Sequence, residues 1–253
     1  MMLAPLFALA AVAAPFPPPA PAASEDRFAS CIALTDKDPA RAIEEATSWQ
    51  VAGGGILARQ CLGLAFAAQQ RWVPAMTAFE QAAREAERGR DSRAARLWVQ
   101  AGNAALAGGE APKARAFLDT AIISGNLTGP ELGEAHLDRA RALVALRQTK
   151  DARADIDAAL KLVPEDPLAW LLSATLARRD GDLTRASSAI AEAVKRAPDD
   201  ATVALEAGNI AIMQGNPEAA RTAWQGAVKL APQSAAGQSA AEALKQLGAA
   251  PAS

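Results

Sequence analysis

Tyrosine is absent from the 253-residue sequence, and aromatic residues make up only 4% of it. A β-sandwich or barrel draws on aromatic and β-branched residues, so this poverty argues against one. There is a single histidine, His136, which excludes multi-histidine metal sites and leaves little for acid–base chemistry. Charge is nearly balanced, with 26 basic and 28 acidic residues. That balance leaves no electrostatic footprint for nucleic acid. Cysteine occurs only at positions 31 and 61, with no C-x-x-C pair and no nearby histidine to activate a thiol. Gly53-Gly54-Gly55 lacks the following Gly-Lys-Ser/Thr of a phosphate loop. What is abundant is alanine, 67 residues in all. Alanine is the best helix former, and a core made of it relies on close backbone approach. The composition points to an all-α protein.

No apolar run is long enough to span a bilayer, which takes about 20 residues. The longest, Leu3 to Ala14, suits the core of a secretory signal. Small-x-small cleavage patterns stand at Ala11-Val12-Ala13 and Ala20-Pro21-Ala22. No Lys or Arg precedes the run, and the first basic residue is Arg27. The alternative is an Ala/Pro-rich disordered tail. Residues 1–23 are expected to form a removed leader and spacer, with Pro15 to Ala23 extended. Export to the periplasm or beyond would favour a Cys31–Cys61 disulfide. Two buried reduced thiols are the other reading, and retention of the leader would leave the protein in the cytoplasm.

A fixed period runs through the chain. Pro164, Pro198 and Pro232 are each 34 residues apart, within KLVP, KRAP and KLAP. Periods of this length signal a repeat array. Five units begin at Ile56, Ala95, Gly133, Pro167 and Ala201. Their twentieth residues are Ala75, Ala114, Ala152, Ala186 and Ala220, and their twenty-seventh are Ala82, Ala121, Ala159, Ala193 and Ala227. A large apolar residue lies between: Phe79, Leu118, Ile156, Ile190 and Trp224. The eighth position is small in every unit: Gly63, Gly102, Ala140, Ala174 and Gly208. Each unit reads as two helices brought close by small residues, with the large one filling the gap. Asp38-Pro39, Asp166-Pro167 and Asn216-Pro217 place a capping side chain before a proline at the first helical position. Asp199-Asp200 reads as another cap. Gly181 and Gly215 mark the turn inside a unit.

With Trp98 and Trp170 at the leading position and Leu62-Gly63 after it, this pattern resembles the tetratricopeptide repeat, W-x2-L-G…A-x3-F-x2-A…P. Arg59, His136 and Ala204 depart from it at the Trp position, as do Glu87 and Asn126 at the terminal Pro. The resemblance implies a right-handed superhelical solenoid of antiparallel helix hairpins. Residues 24–250 are expected to form one solenoid domain. It would hold a degenerate repeat at 24–52, full repeats at 56–89, 95–128, 133–166, 167–200 and 201–234, and a capping helix at 234–248. In the degenerate repeat, Arg27 to Leu34 reads as a short helix and Ala40 to Trp49 as its partner. Gln238, Glu242, Lys245 and Gln246 are expected on the exposed face of the cap, which keeps a solenoid soluble.

The resemblance also implies a concave groove lined by the first helix of each repeat. Carried onto this sequence, its apolar lining is Leu106, Leu137, Val144, Leu171, Leu205, Ile212 and Met213, with Thr175 among them. Asn103, Arg141, Arg178, Arg179 and Asn209 would be its polar anchors. A full carboxylate clamp of Lys, Asn and Arg is not reproduced. Several of the apolar positions also suit packing between repeats.

No catalytic grouping and no cofactor motif emerges, so a non-enzymatic role is expected. The basic run Arg84, Arg88, Arg90, Arg93 and Arg96 alternates with Glu85, Glu87 and Asp91, as on a solvated, ion-paired helix face. The expected function is a scaffold or assembly factor, without cofactor, that binds a protein or peptide in the groove within the cell envelope. The alternative is a solenoid that associates with its own copies.

Overall fold

Helix-forming alanine and regularly placed caps produce thirteen helices and no strand among residues 21–249, which the computed structural model describes. The signal-like run Leu3–Ala14 and its spacer up to residue 20 lie outside these residues. The helices are α1 (Pro21–Lys37), α2 (Pro39–Val51), α3 (Gly55–Ala68), α4 (Trp72–Arg88), α5 (Ala94–Ala107), α6 (Ala111–Ile123) and α7 (Gly129–Ala145). They continue with α8 (Thr149–Leu162), α9 (Pro167–Arg179), α10 (Leu183–Arg196), α11 (Ala201–Met213), α12 (Pro217–Leu230) and α13 (Ala235–Ala249). Each packs against the next in sequence, and α1 on α3, α5 on α7, α9 on α11 and α11 on α13 also touch. Odd-numbered helices therefore form one layer of a helix-hairpin solenoid and even-numbered helices the other.

The starts follow local chemistry. Asp38, Asp166, Asp182, Asp200 and Asn216 each accept a backbone N–H in the first turn of their helix. Such side chains satisfy amides that have no helical partner. Gly181 and Gly215 hold the turn at φ +80° and +76°, where a side chain would be strained.

The repeating alanines form the seam between paired helices. All ten residues at the twentieth and twenty-seventh positions are fully buried. At the eighth position, a Cβ added to Gly63 would meet the Phe79 ring at 2.6 Å. One at Gly102 would meet Leu118 at 2.6 Å, and one at Gly208 the Trp224 ring at 2.4 Å. The missing side chain in one helix is thus the space occupied by the large residue of its partner. The stack ends on α13, whose Gln238, Glu242, Lys245 and Gln246 face solvent while Ala240 is buried against the layer containing Trp224.

Two helices differ from expectation at the N-terminal end. Instead of an extended segment up to Ala23 and a short helix from Arg27, α1 is 17 residues long and begins at Pro21. Proline is well tolerated in a first helical turn, and Ala22 and Ala23 extend the helix readily. Packing fixes the remainder, because Phe28 and Cys31 of α1 lie against Ala46 of α2 and Cys61 of α3. Helix α2 likewise runs two residues past Trp49.

Candidate binding groove

In the odd-numbered layer, α7 and α9 stand further apart than α5 and α7, or α9 and α11. The gap holds a cavity of about 210 Å³. Its walls are Ala140, Arg141 and Val144 of α7 and Leu172, Thr175, Leu176 and Arg179 of α9, with Ile156 of α8 at the bottom. Arg141, Val144 and Thr175, all expected in the groove from the sequence, meet here. Ile156, Leu176 and Ala140 belong to one buried cluster, so the floor is apolar and rigidly packed. Arg141 and Arg179 are exposed at the rim.

Charges around the cavity are mostly spoken for. Arg141 donates to Asp138 at 3.2 Å, and Asn103 of α5 hydrogen-bonds the same carboxylate. Burial pushes the Asp138 carboxyl above the ordinary aspartate range, against these two hydrogen bonds, which favour its charged form. Deeper along α9, Arg178 donates from Nε and Nη2 to Glu206 at 2.6 and 3.2 Å. Glu206 is only 6% exposed. Asn209 donates to it at 3.3 Å and accepts from the Trp224 indole at 3.1 Å. Two expected anchors, Arg178 and Asn209, are therefore committed to one lock joining α9, α11 and α12. Arg179 has no such commitment: it forms no ion pair among the described residues.

The apolar lining is divided in the same way. Leu106, Leu171, Leu205 and Ile212 are half-buried and lean on the cores beneath them, while Met213 is exposed. Leu137, expected at the groove surface, is 2% exposed and wedged beside Ala159 of α8 and Ala169 of α9. It sits at the crossing where three helices converge and packs the repeats together.

A second polar cluster lies between α6, α7 and α8. Asp155 is 4% exposed and takes Arg139 in a two-pronged contact, Nε at 2.7 Å and Nη2 at 2.6 Å. His136 Nδ1 lies 2.8 Å from the same carboxylate, and Arg139 also reaches Asp119 at 2.8 Å. Burial alone would raise the Asp155 pKa. The hydrogen bonds and charges of Arg139 and His136 outweigh it and hold the carboxyl below the usual range. Three of the five residues in the arginine run are ion-paired: Arg84 with Glu80, Arg93 with Asp91 and Arg96 with Glu131, while the expected partners Glu85 and Glu87 bind Arg59 and the Trp98 indole instead. At the other end of the solenoid, Cys31 and Cys61 face each other with Cα atoms 6.2 Å apart, a separation that a disulfide spans.

Sequence reasoning missed Glu206, Asp138 and Asp155. Their only signal was charge at positions that other repeats fill with Cys61, Gln100 and Leu172, or, for Asp155, with Ala78, Phe117, Ala189 and Ala223. No group of three or more metal-ligating side chains occurs among the described residues. No helix among them is long and apolar enough to cross a membrane.

A profile described as tetratricopeptide repeat matches residues 137–201 and 171–235. No curated protein matches the sequence. Among solved structures, the chain is similar in fold to PilW, described as a widely conserved type IV pilus biogenesis factor. The TM-score is 0.73 at 19% identity, covering 87% of this chain and 99% of that one. PilF of Pseudomonas aeruginosa gives 0.68 at 15% identity, with the same two coverages of 87% and 99%. YrrB, described as a TPR protein with an unusual peptide-binding site, gives 0.55 at 19% identity over 78% of this chain and 96% of that one.

Proposed function

From the tetratricopeptide repeat match over residues 137–235, we propose that the chain is an interaction scaffold or assembly factor that binds a protein segment in its groove. The observation that carries this reading is the cavity between α7 and α9, where an apolar floor opens beneath two exposed arginines. At about 210 Å³ it is smaller than the roughly 300–1,000 Å³ of small-molecule sites. It suits one side chain of a peptide or helix, which is how grooves anchor such partners. The likeness to proteins described by pilus biogenesis and by peptide binding supports the same reading.

The signal-like Leu3–Ala14 run and the facing cysteines support a place in the cell envelope, with Cys31 and Cys61 bridged and the leader removed. The proposal involves no catalysis and no cofactor. Selecting displayed random peptides on the protein tests the groove. Peptides should be recovered that bind the native chain and lose binding to Val144→Trp, which fills the cavity. Recovery of no binders, or of binders indifferent to this change, would overturn the reading.

A further inference from the structure

We propose that the α7–α9 cavity selects an internal acidic segment: an apolar side chain enters the cavity while a neighbouring Asp or Glu side chain pairs with Arg179. This rests on, and deepens, the groove-binding reading above. Three arginines border the site, Arg141, Arg178 and Arg179, against two carboxylates, Asp138 and Glu206. Arg141 is matched by Asp138 at 3.2 Å and Arg178 by Glu206 at 2.6 Å. The uncompensated charge is therefore Arg179, exposed at the mouth and without an ion pair among the described residues. The cavity walls offer only Thr175 and the two arginines as polar groups, so the buried part of the occupant must be apolar. Charge complementarity then asks for an anion one or two residues away, at the rim.

The other expected lining residues, Asn103 and Leu106 of α5 and Leu205 and Ile212 of α11, lie on the helices that pack against α7 and α9 on the far side of each from the cavity. A segment that runs through carries its charge on a side chain. An arginine–carboxylate contact is also the stronger, geometrically defined kind of polar contact.

The test uses two displayed libraries of random twelve-residue internal segments, flanked on both sides. One has Asp and Glu allowed, and the other has them replaced by Asn and Gln. Binders should come from the acidic library, with Asp or Glu within two residues of a Leu, Ile, Val, Met or Phe. Changing that acid to its amide should weaken binding about tenfold, and Arg179→Gln in the protein should do the same. Arg179→Glu should restore binding to the segment with Lys in place of the acid, a reversal that a structural role for Arg179 would not produce. Arg179 is exposed, so neither variant disturbs the core. Binders lost in Val144→Trp but indifferent to the acid and to Arg179 would leave the groove reading intact and overturn this one. Absence of any binder sensitive to Val144→Trp would overturn both.

Discussion

A glycine and a tryptophan sixteen residues apart show how much of this protein is decided by single side-chain volumes. The Trp224 ring occupies the space that a Cβ on Gly208 would need. Gly208→Ala should therefore destabilise the protein by about 1–3 kcal/mol through overpacking. A Cβ on Gly226, inside α12, would meet nothing within 4 Å. Gly226→Ala should instead stabilise by about 0.5–1 kcal/mol, because it narrows the unfolded ensemble without a clash. Urea unfolding of the two variants checks both signs, and equal effects would count against the helix pairing described here. Asp155 is decided by charge. Its folded pKa is lowered, so its stabilising contribution is present above the unfolded value near 3.8 and is lost as pH falls through the lower folded value. Asp155→Asn should cost about 2–3 kcal/mol at neutral pH, since Arg139 loses one buried partner and keeps Asp119. Unfolding curves of native and variant protein should converge below the ordinary aspartate range. The small residues at the eighth position were legible because the same requirement recurs in five units. Asp155 and Glu206 were not, since a single charge in an amphipathic pattern looks solvated. Their burial depends on partners 16 to 28 residues away, Arg139 and Arg178.

Helices add what no single residue carries. Asp200 accepts from two amides, Thr202 and Val203, at the start of α11. Asp200→Ala should cost about 1 kcal/mol, measured by thermal unfolding. The caps and the intra-repeat turns were readable locally, because capping chemistry and positive φ are properties of three or four consecutive residues. The docking of α1 was not, because it rests on α3 through residues 30 positions apart. If the bridge between Cys31 and Cys61 forms as proposed, it holds this terminal helix to the stack. Closing a loop of that length is worth roughly 3–4 kcal/mol on the chain-entropy account. Reduction should then raise amide exchange in α1 and α2 and leave α9 to α12 unchanged, since each unit of a solenoid rests on its neighbours. Uniform acceleration along the whole chain would contradict that local role.

At the scale of the molecule, the proposal joins a removable N-terminal leader to a partner-binding groove, and the two ideas can be separated by one weighing. Cleavage after Ala13 leaves all of α1, whereas cleavage after Ala22 removes its first two residues and keeps Phe28 and Cys31, which dock it. Either product keeps the residues that dock α1 on the stack. Protein purified from its native host should show an intact mass short of one of these two segments. It should gain two alkyl groups only after reduction, because a bridge between residues 31 and 61 persists in an oxidising compartment and not in a reducing one. A full-length mass with both thiols open to alkylation would remove the envelope from the proposal. The groove would survive that result, because Arg179, Val144 and the floor beneath them are built by α7, α8 and α9, far along the stack from either cysteine.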